Sequence, residues 1–338
     1  MFWRPRDLGL RSHVAVGIAV CALVVVDSVV AGTRGAGPTV DPAGAHPPVG
    51  AVAGARLVAQ AVTSGHGSIW TLNCRVPRHG RCVVTKVDPR TEVAGPAVKV
   101  PRPASRLFYG AGHVWVAGGR RITAVAPATG AVATARLPGG PVDSMAFHGD
   151  RAYAAVNGHD QVAEITPGGV LKIRLIEERG GPRAVVGLRD AIEVTNGVMN
   201  LVPIIFPGAD TTFLAALQLG RPVIGAAGPQ AAWVRRGTHL VRETLGSDNR
   251  PARRYVATPG PPMRVVMAGD GGCYVSLPPM PRRRENLAYF SRKALEARHP
   301  SPTDVHVGRR VLDFALDPAG GVVFIDRRGA LQRWVPAT

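Results

Sequence analysis

From about Ala51 to the C-terminus, short runs of alternating or uninterrupted apolar residues recur between Gly/Pro-rich turns, and almost none has the period of a long helix. The runs share a centre: GSIWTL around Trp70, GHVWVA around Trp115, DRAYAAV around Tyr153, DAIEVT around Val194, AAWVRR around Trp233, GCYVSL around Tyr274 and GVVFID around Phe324. Successive centres lie 45, 38, 41, 39, 41 and 50 residues apart. A period near forty with a short buried strand in each unit predicts four-stranded repeats. Within a unit, a further strand, a Pro/Gly turn and another strand follow the centre, as in VVTKVDPRTEVAG (83–95), ITAVAPATGAVAT (122–134) and VAEITPGGVLKIRL (162–175). SRKALEARH (291–299) is the exception and predicts one or two helical turns.

The expected fold is therefore all-β: a β-propeller of seven blades, each of four antiparallel strands, over residues 51–338. After Phe324 only enough chain remains for a third strand of the last blade. An unpaired seam would expose strand edges. Residues around 50–56 are expected to supply the missing outer strand and close the ring.

The "GxxWVA" strand and the "VxPxTGxV" turn resemble the extracytoplasmic seven-bladed propellers of the streptogramin (virginiamycin B) lyase-like and YVTN-repeat type, over about residues 56–338. The resemblance implies strands running A to D outward from a central channel. It specifies blades rather than a reaction.

The first fifty residues have a different pattern. Residues 1–13 carry Arg4, Arg6 and Arg11 against Asp7, and residues 14–32 form an apolar stretch of nearly spanning length. This predicts a basic cytoplasmic region followed by one hydrophobic helix oriented with its C-terminal side out. The helix serves either as a signal anchor or as a signal peptide cut after Ala31. Asp27 stands toward its outer end, where a carboxylate costs less than at the bilayer centre. Cys21 follows Val20, which departs from a lipobox. Residues 33–50, rich in Pro, Gly and Ala, are expected to be a linker. The expected location is the cell membrane, single-pass, with the propeller outside the cytoplasm, or secretion after cleavage.

Composition then sharpens the functional question. The net charge is +18, through either a general preference for Arg or an affinity for anions. Placement discriminates. Loops between the second and third strands, with those linking one blade to the next, share one face, conventionally the top. Arg120 and Arg121 (GGRR), Arg235 and Arg236 (RRG), Arg282, Arg283 and Arg284 (PPMPRRREN), and Arg327 and Arg328 (DRRG) all fall on it. The connections add Arg102, Arg106, Arg179, Arg183, Arg221, Arg309 and Arg310. These form a candidate anion-binding face, since guanidinium groups bind phosphate and carboxylate bidentately.

Cys74 and Cys82 flank RVPRHGR (75–81) between neighbouring strands, which predicts a disulfide in an exported domain, with two unpaired thiols, or a zinc pair including His79, the weaker alternatives. Cys273 is expected to be a core thiol. No GxSxG, HExxH, P-loop or GxGxxG motif occurs. A lyase of the resembled type needs His and carboxylates together at the channel mouth. The candidates are His159 and Asp160 in NGHD, and His239 and Glu243 in THLVRE, all better explained as solvated loop residues. The family's catalytic residues have no position-by-position match.

The sequence thus favours a non-enzymatic, membrane-tethered or secreted scaffold, with no catalytic residues, metal or cofactor. Its expected partner is an acidic protein or a polyanionic envelope polymer, not nucleic acid. A metal-dependent lyase-like enzyme acting at the channel is the alternative.

Overall fold

The computed structural model describes residues 49–51, 59–74, 81–177, 181–187, 191–196, 202–205, 212–215, 225–228, 231–236, 239–245, 251–258, 262–268, 271–278, 286–297, 303–305, 307 and 310–335. The hydrophobic segment 14–32 and nearly all of the linker lie outside them, as does His79. Among the described residues no helix is long and apolar enough to cross a membrane.

The described strands form seven four-stranded antiparallel sheets arranged as a propeller. The first holds β2 (Ala61–Gly65), β3 (Ser68–Asn73), β4 (Arg81–Val87) and β5 (Ala94–Pro101). The second holds β6 (Arg106–Gly110), β7 (His113–Gly118), β8 (Arg121–Val125) and β9 (Val132–Arg136). The third holds β10 (Met145–His148), β11 (Arg151–Val156), β12 (Gln161–Thr166) and β13 (Lys172–Glu177). The fourth is β14 (Pro182–Gly187), β15 (Ile192–Asn196), β16 (Val202–Ile205) and β17 (Thr212–Ala215). The fifth is β18 (Gly225–Gly228), β19 (Ala231–Arg236), β20 (His239–Leu245) and β21 (Pro251–Ala257). The sixth is β22 (Arg264–Met267), β23 (Cys273–Ser276), β24 (Leu287–Phe290) and β25 (Thr303–Asp304). Between β24 and β25 stands one helical turn and a little more, α1 (Arg292–Glu296), whose first turn is capped by the Ser291 hydroxyl accepting from the Ala294 N–H at 3.0 Å.

The last sheet joins the two ends of the propeller. It runs β26 (Val311–Leu316), β27 (Val322–Asp326) and β28 (Leu331–Trp334), and its outer strand is β1 (Val49–Ala51), paired antiparallel with β28 in the register Val49↔Trp334 and Ala51↔Gln332. The closing strand therefore begins inside the stretch assigned to the linker and earlier than 50–56. Its three residues carry no alternation that would mark a strand.

The cores lie between neighbouring sheets. Leu72 and Val84 of the first pack with Val114 and Val116 of the second. Trp115 and Ile122 of the second pack with Ala152 and Ile165 of the third. Ile325 and Val323 of the last pack with Val62 and Ile69 of the first. The first, second, third and last sheets are thus covered on both faces, which explains why their second strands are apolar without interruption: β7, β11 and β27 are buried along nearly their whole length. Burial against both neighbours removes the alternation a one-sided strand would show.

First strands follow one another around the centre. β2 lies beside β6, β6 beside β10, β10 beside β14, β14 beside β18, β18 beside β22, and β26 beside β2. An Arg264–Asp313 ion pair links β22 to β26.

Candidate anion-binding site

The β27–β28 turn is Asp326-Arg327-Arg328-Gly329, and its shape follows from the two outer residues. Asp326 Oδ1 accepts from the Arg328 N–H at 2.9 Å and from the Ala330 N–H at 3.0 Å. Gly329, at φ 80°, takes the left-handed conformation that lets its N–H reach the Asp326 carbonyl at 2.9 Å. The Gly329 carbonyl accepts from the Ala59 N–H at 2.7 Å, tying the turn to the chain entering the first sheet. Asp326 is buried, whereas Arg327 and Arg328 are exposed at the tip. Two guanidinium side chains therefore project from a turn fixed on three sides.

Arg310, half-buried, ends the connection from the sixth sheet immediately before β26. Since β26 starts where β27 ends, Arg310 and the turn share the top face. Arg310, Asp326, Arg327 and Arg328 line one half-open cavity of about 300 Å³. Among the described lining residues three are cationic and one is anionic, and the Asp326 Oδ1 already accepts from two backbone N–H groups. No ion pair among the described residues engages any of the three arginines.

Other top-face arginines have structural partners. Arg102 donates through Nη2 to the Cys74 carbonyl, and Arg121 donates through Nη1 to the Arg102 carbonyl, so the two knit the first and second sheets together. Arg106 lies 3.9 Å from Asp143. Arg264, paired with Asp313, is pushed down to about 10 by burial and then by the like charge of Arg106, and it stays cationic at neutral pH. Arg120 is exposed beside Arg121, but its sheet is separated from the Arg327 turn by the whole first sheet. Arg235 and Arg236 end β19, and their side chains lie outside the described residues, as do Arg282, Arg283 and Arg284 entirely.

Sequence reasoning grouped these arginines as one surface and missed that Arg310 joins Arg327 and Arg328 specifically. The signal was the Asp-x-x-Gly frame of 326–329, which marks a rigid turn.

Cys74 and Cys82 form a disulfide across the end of β3 and β4, with Cα atoms 4.2 Å apart. The Asn73↔Val83 register sets them directly opposite each other, the close approach of a non-hydrogen-bonded pair. Neither sulfur is then a thiolate ligand. Cys273 is buried in β23 and takes no part in a disulfide. His159 and Asp160 are exposed on the β11–β12 turn, where Asp160 Oδ1 accepts the Gly181 N–H at 2.9 Å. His239 is exposed on β20 with its ring against Tyr255, and the Glu243 side chain lies outside the described residues. Among the described residues no group of three or more His, Cys, Asp or Glu is placed to hold a metal ion.

No family model matches the chain, and no curated protein matches it in sequence. Solved structures do resemble it. A streptogramin B lyase structure superimposes with a TM-score of 0.60 at 13% identity, covering 82% of this chain and 94% of that one. A chain of a mitotic checkpoint complex gives 0.62 at 11% identity, over 90% and 99%. The WD40 domain of Neurospora crassa Pan2 gives 0.61 at 11% identity, over 83% and 89%. At such identities the likeness extends to the fold alone, and the chain has the propeller fold.

Proposed function

We propose that this chain is a seven-bladed propeller, tethered outside the cytoplasm by its N-terminal hydrophobic segment, that binds an anionic envelope component or an acidic partner protein through its top face. One observation carries the reading. Arg310, Arg327 and Arg328 converge on one cavity, on a turn held by Asp326 and Ala59, with no ion-pair partner among the described residues. Convergent cations on a rigid frame attract anions without having to reorganise first. Arg102 and Arg121, by contrast, serve carbonyl groups that hold sheets together.

The test uses the full chain and an immobilised polyanion, dextran sulfate, over a range of salt. Reversing Arg310, Arg327 and Arg328 to Glu should abolish retention and flatten its salt dependence, while Arg90→Glu on the opposite face should leave both unchanged. Equal losses from both changes would mean that the basicity is diffuse and the top face is no site.

A further inference from the structure

We infer that the cavity of Arg310, Arg327 and Arg328 is a receptor for a phosphomonoester group, a tetrahedral dianion with three free oxygens. This deepens the proposed function and rests on its reading of the top face as the anion-binding side.

The argument is one of donor count, shape and volume. Among the described residues three arginines line the cavity, each carrying a planar fork of N–H donors. A carboxylate offers two oxygens and is satisfied by a single bidentate arginine. It leaves the other guanidinium groups with only long-range attraction. A phosphodiester also presents two free oxygens and a single charge. A phosphomonoester presents three free oxygens and close to two charges at neutral pH, so its oxygens match the three arginines in number and its charge offsets the excess of two that they hold over Asp326.

Volume limits how the group arrives. A cavity of about 300 Å³ lies at the small end of ligand pockets. It is large enough for a single phosphorylated end, whether of a small molecule or of a longer chain. Asp326 sets a further limit. Its carboxylate lines the same cavity, so an anion seated deep against it is repelled. The favoured position is outward, among the guanidinium groups of Arg327 and Arg328, with Arg310 closing from the side of β26.

Preorganisation separates this turn from the other Arg-Arg turn described at this end of the molecule. At Arg120-Arg121 one guanidinium is engaged by the Arg102 carbonyl. At Arg327-Arg328 the backbone is fixed by Asp326, Gly329 and Ala59, and both residues line the cavity.

The experiment titrates the full chain with phenyl phosphate, dimethyl phosphate and acetate by calorimetry at constant ionic strength. Phenyl phosphate should bind at least about tenfold more tightly than either of the others. Its affinity should rise as pH increases through about 6, where the second proton leaves a phosphomonoester. Arg327→Ala and Arg328→Ala should each weaken it about tenfold or more. Arg310→Lys, which keeps the charge and loses the fork, should weaken it by a smaller factor, and Arg90→Ala on the opposite face should leave it unchanged. Two further arms separate the sources of the group: a soluble sugar phosphate, and vesicles of phosphatidic acid in phosphatidylcholine. Binding of either with the same variant pattern supports the proposal and assigns the source. If acetate or dimethyl phosphate binds as well as phenyl phosphate and the same variants abolish it, the phosphomonoester assignment falls while the anion-binding face stands. If the arginine variants, folded by circular dichroism, bind phenyl phosphate like the parent, the cavity is not the site. If the parent binds none of these and its retention on dextran sulfate is insensitive to salt, both readings fall.

Discussion

The backbone N–H of Val62 donates to Oδ2 of Asp313 at 2.8 Å, a bond between residues 251 apart that joins the first inner strand, β2, to the last, β26. The same carboxylate is paired with Arg264 of β22. One side chain thus holds three inner strands around the centre. Asp313→Ala strands a backbone donor and a largely buried guanidinium at once and should lower unfolding stability by about 3 kcal/mol. Asp313→Asn keeps an acceptor and should cost about half as much. Urea midpoints at constant m-value measure both. A loss below about 1 kcal/mol for the alanine variant would mean that the carboxylate does not hold the ring.

On the outer side the seam is held by β1 against β28, with Arg333 of β28 also reaching Glu92 in the first sheet at 3.2 Å. Deleting residues 49–51 removes the outer strand and exposes the edge of β28. The loss should be about 2–3 kcal/mol in hydrogen bonds, or about 5 °C in Tm for a domain of this size. Deleting residues 33–45, which precede β1, should shift Tm by less than about 1 °C. Equal shifts would show that β1 adds nothing to closure.

The Cys74–Cys82 bridge closes a loop of 8 residues. Chain-entropy bookkeeping for so short a loop gives about 2.5 kcal/mol. Replacing both cysteines by serine should lower stability by that amount, and adding a reductant to the parent should reproduce the loss. The double variant should then be indifferent to reductant. Unchanged melting on reduction would place the bridge outside the stability of the fold.

Tyr153 gives the fold a pH signature. It stands directly opposite Glu164 in the β11–β12 register, and Glu164 is held by Arg151 at 2.9 Å and Arg174 at 2.6 Å. Burial first, and then the Glu164 charge, push the Tyr153 phenol up to about 12 from an ordinary 10.0. Between pH 10 and 12 the folded chain keeps this proton and the unfolded chain has lost it, so the stability present below pH 10 is lost as pH rises toward 12. The loss is on the order of 2 kcal/mol. Tyr153→Phe should remove that part of the alkaline decline, measured by urea unfolding at pH 9 and 11. Parallel declines in parent and variant would contradict the assignment.

The sequence revealed what a local pattern can carry. Trp70, Trp115, Tyr153, Val194, Trp233, Tyr274 and Phe324 all fall on the second strands of successive sheets, because burial on both faces makes those strands apolar wherever they occur. The Cys74–Cys82 spacing was readable because a hairpin sets close neighbours in sequence opposite each other. Polar contacts between sheets were not readable. Asp313 meets Val62 across 251 residues, and Arg121 meets the Arg102 carbonyl only once two connecting loops have been placed. Nothing in the neighbourhood of an arginine tells whether it will bridge sheets, as Arg102 does, or face a cavity, as Arg327 does. The three-residue β1 was set too late because Val-Gly-Ala has neither alternation nor bulk.

The last prediction concerns which way the basic face points. In the last sheet β27 runs up to the Arg327 turn, β28 runs away from it, and β1, antiparallel to β28, runs back toward it. The chain preceding Val49 therefore enters at the end of the molecule opposite the Arg310–Arg327–Arg328 cavity. If residues 14–32 sit in a bilayer, as the proposed function holds, an envelope polymer or soluble protein should reach the cavity more readily than a lipid headgroup does. Strands of about six residues give the domain a depth of about 20 Å. Dyes can be placed singly at Arg328→Cys, at the top, and at Val170→Cys, exposed on the β12–β13 turn at the other end, in full chain carrying Cys21→Ser and reconstituted in vesicles with a bilayer acceptor dye. Energy transfer should be clearly more efficient from position 170 than from 328, and phosphatidic acid in the vesicles should not reverse the order. Equal transfer from the two positions would mean that the domain tips freely, and the inverse order would mean that the cavity faces the membrane and takes its anion from lipid.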